Sequence, residues 1–158
     1  DEALREALDR LVAMRQAEGE RLFADIAHRL RRIEQIIQQM AERAPSVVEE
    51  YRRRLWERSK EWLGEFPIDE NRLALEVALF ADRASIDEEL TRARSHISEF
   101  LKVCKERGAG RKLDFLLQEL QREANTIGSK AHDTHLAAWV VEVKAEIEKI
   151  REQVQNIE

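Results

Sequence analysis

The apolar positions of this chain recur at three- and four-residue steps almost from end to end, the pattern of helices that each bury one stripe. Leu4, Leu8, Leu11 and Val12, then Leu22, Ile26, Leu30, Ile33, Ile37 and Met40, keep a near-heptad spacing. They predict one long helix over 1–43, and forty helical residues span about 60 Å. Gly19 and Glu20 interrupt the stripe and mark a soft point. Ala44-Pro45-Ser46 predicts a turn, with Pro45 in the first turn of a second helix that runs to about Leu63. Val48, Tyr51, Leu55 and Trp62 give that helix a face to lie back on the first, so the expectation is a long α-hairpin arm, coiled-coil in character.

Gly64 and Pro67 lead out of the arm, and Asp69 suits the N-cap of a short helix over 70–82 that buries Leu73, Val77 and Phe80. Ser85-Ile86-Asp87-Glu88 has the form of a capping box and predicts a helix from there to about Arg107. Its core face is Leu90, Ala93, Ile97, Phe100, Leu101 and Cys104, and Gly108-Ala109-Gly110 ends it. From Arg111 to about Ser129, Leu113, Leu116, Leu117, Leu120, Ala124 and Ile127 form the next stripe. The last helix carries Leu136, Val140, Val143, Ile147, Ile150, Val154 and Ile157 in a strict 3.5 repeat, which requires a partner helix in the chain or in another subunit. The fold class is therefore all-α, with a hairpin arm over 1–63 and a compact helical bundle over 64–158 closed by a C-terminal heptad helix.

Composition agrees with long helices: charged residues make up 37% of the chain, against five Gly and two Pro. With 158 residues there is room for one sizeable core. Lys and Arg total 27 against 32 Asp and Glu, a net charge of −5, so any nucleic-acid contact must come from local basic patches. The single cysteine, Cys104, excludes an intramolecular disulfide framework and fits a reducing cytoplasm and a small buried hydrophobe. No apolar run near 20 residues is present, so a membrane span is not expected.

Several side-chain groups invite chemistry, and each has a plainer reading. Asp87, Glu88 and Glu89 are consecutive, and Glu89, Arg92 and His96 share a helix face; acids in a first turn also answer the helix dipole. Glu76 sits in the apolar run LALEVALF, at an edge or in need of a partner. Glu119 and Glu123, one turn apart, suit an oxygen-rich divalent site, or surface ion pairs with Arg122, Arg111 or Lys130. His132 and His135 lack a third ligand for zinc. Arg52, Arg53, Arg54, Arg58 and Lys60, with Tyr51, Trp56 and Trp62 nearby, can meet RNA or merely solvate a helix.

The strings GRKLDFLLQE, REANTIGSKA and EKIREQVQNIE, with RLALEVALFADRASIDEELTRARSHISEF upstream, resemble the C-terminal half of the bacterial YicC family of endoribonucleases. The resemblance is close over 70–158 and general before that. It implies an oligomeric, divalent-metal-dependent RNA-cleaving protein whose full-length members carry a further N-terminal domain, so the chain is expected to be a C-terminal fragment. Gln121, Ser85 and Ala93 stand where the family usually has Asn, Asp and Leu. On this resemblance, Glu88, Glu89, His96, Glu119 and Glu123 are the expected catalytic residues. Glu76, Glu89, His96, Glu119 and Glu123 are the expected ligands of Mn²⁺ or Mg²⁺, and Arg111, Lys112, Arg122, Asn125 and Lys130 are the expected RNA contacts. The expected partners are RNA and further copies of the chain, joined through the C-terminal helix. A non-catalytic adaptor for another ribonuclease and a structural oligomerisation module are the alternatives.

Overall fold

A computed structural model describes residues 2–106 and 108–156, and the described residues form five helices: α1 Glu2–Leu63, α2 Glu70–Ala84, α3 Asp87–Val103, α4 Gly110–Lys130 and α5 Thr134–Gln155. The all-α expectation holds. The hairpin does not: α1 is one unbroken helix of 62 residues, about 93 Å long, with Pro45 inside it.

A proline inside a helix loses one backbone hydrogen bond and crowds the preceding turn, at a cost of about 3 kcal/mol. Packing on both sides of Pro45 outweighs that cost. Met40 and Val47 are both buried in the core, and the Arg43 guanidinium reaches over the proline to Glu50 at 2.8 Å and across to Asp133 of α5 at 2.7 Å. The partner of the α1 stripe is thus α5 and not residues 47–63. Arg29, Arg32 and Arg43 meet Glu146, Glu142 and Asp133 in descending order, so the two helices run antiparallel.

This pairing also answers the heptad repeat of α5. Leu136, Val140, Val143, Ile147, Ile150 and Val154 are buried within the chain, against α1 and α4, so the seam expected to join subunits is filled internally. Ile157, expected to extend it, lies outside the described residues, as does Arg107. One hydrophobic cluster takes in Ile26 to Val47 of α1 together with residues of α2 to α5, so the core runs across the boundary expected at residue 63. Residues 2–21 of α1 project beyond the bundle and are exposed throughout. No helix among the described residues is long and apolar enough to cross a membrane.

Asp69 caps α2 as expected, its carboxylate accepting from the backbone N–H of Asn71 and Arg72. The capping box before α3 does not form. Ile86 holds the N-cap position without a side-chain bond, and α3 stops at Val103, where Cys104 takes over as C-cap. Gly108 follows at φ 71°, a conformation that favours glycine. Burial pushes the Cys104 thiol up, which keeps it protonated and unreactive.

Candidate functional site

Helices α3 and α4 pack antiparallel, as the pairs Glu89 with Lys130, Arg92 with Glu123 and Glu99 with Lys112 demand. Their apolar stripes supply the contact. The α4 stripe predicted from the sequence, Leu113 to Ile127, is buried at every named position. Where the first turns of α3 meet the last turns of α4, two carboxylates are drawn into this interface. Glu89 is 3% exposed and Glu123 5%, the two buried charged residues among those described.

A buried carboxylate needs a cation or it loses its charge. Arg92 supplies one to both. Its Nε donates to Glu123 Oε1 at 2.9 Å and one terminal nitrogen to Glu89 Oε1 at 3.1 Å, while the other reaches the exposed Glu88 at 3.2 Å. Lys130 Nζ donates to the same Glu89 Oε1 and to the Ser85 carbonyl, both at 3.0 Å. The missing capping box has its own cause: the Ser85 N–H donates to the Asp82 carbonyl at the end of α2, and Glu88 reaches forward to Arg92 instead of back to residue 85. Burial pushes the Glu89 carboxyl up, but Lys130, the backbone and Arg92 together hold it below the ordinary carboxylate range. The same carboxylates, Glu123 foremost, raise the Arg92 guanidinium and keep it charged.

The cluster is incompletely satisfied. Glu89 Oε2 and Glu123 Oε2 are buried without a hydrogen-bond partner, and so are Nε2 of His96 on α3 and Oε1 of Gln121 on α4. Each such atom is expensive to bury unless something binds it.

Of the residues singled out by sequence, the structure gathers Glu88, Glu89, Glu123 and Lys130. His96 lies half-buried two turns beyond Glu89 on α3, without a hydrogen bond to the cluster. Glu119 is half-buried and faces Arg122 at 4.0 Å rather than sharing a site with Glu123. Glu76 is exposed on α2, in a hollow with Leu55 and Arg72. Arg111, Lys112, Arg122 and Asn125 are exposed on α4, with Lys112 paired to Glu99 at 3.5 Å. Arg92 is the residue that sequence reasoning undervalued. Its signal was the i, i+4 spacing from Glu88 and the i, i+3 spacing from Glu89, which reads equally as an ordinary surface pair.

The hard oxygens of Glu89 and Glu123 are of the type that magnesium or manganese prefers. Among the described residues, however, no group of three or more His, Cys, Asp or Glu side chains is assembled to hold an ion. Arg92 and Lys130 already neutralise the two carboxylates from the Oε1 side, so the donor set of this chain does not by itself fit a resident divalent ion.

The profile described as "Endoribonuclease YicC-like, C-terminal" matches residues 40–158, which include the whole cluster. The chain belongs to this YicC-like family. A relative from Clostridioides difficile named "Probable endoribonuclease YicC" is 49% identical over 160 residues, covering all of this chain and 55% of the relative. One of the same name from Haemophilus influenzae is 39% identical over 157 residues, covering 99% of this chain and 54% of the relative. The chain thus spans about half the length of these curated YicC relatives.

Proposed function

We propose that this chain takes part in endonucleolytic cleavage of RNA in the cytoplasm, with the cluster between α3 and α4 as the reacting centre. The observation that carries the proposal is the pairing of two buried carboxylates, each with one unpartnered oxygen, on a single half-exposed guanidinium. Family membership supplies the substrate class.

Arg92 and Lys130 are both accessible from solvent and present cations to the non-bridging oxygens of a phosphodiester. Glu88 is 85% exposed, so its hold on Arg92 is weak and an incoming phosphate displaces it. Glu89 is held ionised by Lys130 and Arg92, which makes it a positioning residue and a poor base. Glu123 Oε2 is buried in the free chain, so the incoming phosphate must draw Arg92 outward and uncover it; it then takes the proton of the attacking hydroxyl as the new P–O bond forms. The P–O bond to the leaving oxygen then breaks, and that oxygen is protonated from solvent.

The test is cleavage of an end-labelled structured RNA by the chain and by Arg92→Lys. A lysine keeps the charge but cannot fork between two carboxylates and a phosphate. Cleavage is expected to fall about 100-fold, in line with loss of a positioned donor, while RNA affinity changes little. Undiminished cutting by Arg92→Lys contradicts the assignment. RNA that is bound but never cut by the unaltered chain points instead to an adaptor.

A further inference from the structure

The last turns of α1 carry Tyr51, Arg54, Leu55, Arg58 and Trp62 at three- and four-residue steps, a face that starts against Phe80 of α2 at Tyr51 and runs out to the exposed Trp62. Beside them is a hollow of about 600 Å³, whose lining includes Tyr51, Arg54, Glu57, Arg58, Phe80 and His132. A second hollow of about 460 Å³ continues it, sharing Leu55 and Arg58 and ending at Trp62. The wall is stiff: the Tyr51 and Phe80 rings stack at 3.8 Å and 10°, and His132 packs against Phe80 at 5.3 Å.

The cations here are uncommitted. Arg43 and Arg52 of α1 are held by Glu50, Asp133 and Glu49, whereas Arg54 and Arg58 make no ion pair or hydrogen bond among the described residues. One carboxylate, Glu57, shares the lining and pairs with neither arginine, so the groove keeps a net positive charge. Trp62 is 84% exposed, with its indole face open, while Trp56 is covered by Lys60 at 5.3 Å. Free guanidinium groups one turn apart, leading to an open indole, form the charge-and-stacking arrangement that single-stranded nucleic acid fits.

We infer that this α1–α2 groove is an RNA-contact site separate from the α3–α4 cluster, in which Arg54 and Arg58 hold phosphates and Trp62 stacks a base. The inference rests on RNA being the substrate, but it is independent of where RNA is cut.

The experiment is fluorescence anisotropy of a labelled single-stranded oligouridylate with the chain, at several salt concentrations. The double variant Arg54→Gln, Arg58→Gln is expected to bind about tenfold more weakly, with the slope of log affinity on log salt reduced by about 1.4, because each lost phosphate contact on a single strand is worth about 0.7. Trp62→Leu is expected to weaken binding with the slope unchanged. Thermal midpoints should stay near that of the unaltered chain, since none of these three side chains makes a polar contact that would be lost. Unchanged affinity and slope in the double variant overturn the inference, as does absence of binding by the unaltered chain. A change in sedimentation without a change in RNA affinity assigns the groove to protein contact and overturns it too. Glu123→Gln separates the two readings: it should bind RNA with full affinity and slope even if it does not cut.

Discussion

Two ionic networks tie the helices together, and they differ in what they leave over. Between α1 and α5, Asp133 spends both oxygens, one accepting from the Leu136 N–H at 3.0 Å and the other from Arg43 at 2.7 Å. Glu146 does the same with Lys149 at 2.7 Å and Arg29 at 3.0 Å. Between α3 and α4, Glu89 and Glu123 each spend one oxygen and bury the other without a partner. In the first network Asp133 and Glu146 leave no oxygen over, and the atom without a partner is a donor, Arg43 Nε, so it behaves as a fastener. The second leaves over two carboxylate oxygens, acceptors able to take a proton or a ligand.

If the α1–α5 network is a fastener, breaking it costs stability alone. Asp133→Ala removes the cap of α5 and leaves Arg43 with Glu50 alone, and is expected to cost about 3 kcal/mol. Thermal unfolding should show this as a drop of about 6–12 °C for a domain of this size. A shift within 1 °C would show that the network is ornamental.

The fastener also carries α1 through its proline. Pro45 is exposed, so Pro45→Ala restores a helical N–H without disturbing the core and is expected to stabilise by about 2 kcal/mol in chemical denaturation. Destabilisation there would restore the hairpin turn that the sequence suggested.

Acid should loosen both networks. Arg43 holds Asp133 below its ordinary range, and despite burial Glu89 and Glu146 are held low by Lys130 and Lys149 with their arginine partners. Groups with depressed values lend stability above their unfolded values, and that stability is lost as pH falls through the folded ones. Thermal midpoints should therefore be level from about pH 7 to 5 and fall below about pH 4. Glu89→Gln should flatten part of that fall and leave the part due to Asp133 and Glu146.

The smallest expected effect concerns metal. Because Arg92 and Lys130 already occupy the Oε1 side of the cluster, a calorimetric titration of the RNA-free chain with Mn²⁺ should show no saturable site that disappears in Glu123→Gln. A site lost with that substitution would mean that the reserve oxygens are ligands.

Much of this was legible in the residues, for physical reasons. Stripes at helical spacing fixed α2, α4 and α5 to within a turn, since the bundle offers one dry side and each helix must face it. Glu89, Glu123 and Lys130 were candidates through the family resemblance, with spacing alone reading equally as ordinary ion pairs. The misreadings share a cause: local signals were outweighed by contacts distant in sequence. Pro45 signals a turn until α5 is laid alongside it. Arg92 looks like a surface partner of Glu88 until α4 brings Glu123 to it. His96 and Glu119 share a helix face with cluster residues, but the rise along the axis, about 10 Å from Glu89 to His96, carries them out of its reach.

The most direct measurement is single-turnover cleavage of labelled RNA by the unaltered chain, by Glu123→Gln and by Asp133→Asn, each well below its thermal midpoint. The reserve-oxygen assignment predicts that Glu123→Gln slows cleavage by about 100-fold or more, with RNA still bound, while Asp133→Asn cuts at the unaltered rate despite its lower stability. Equal rates for the unaltered chain and Glu123→Gln, or a loss of cutting confined to Asp133→Asn, would contradict it.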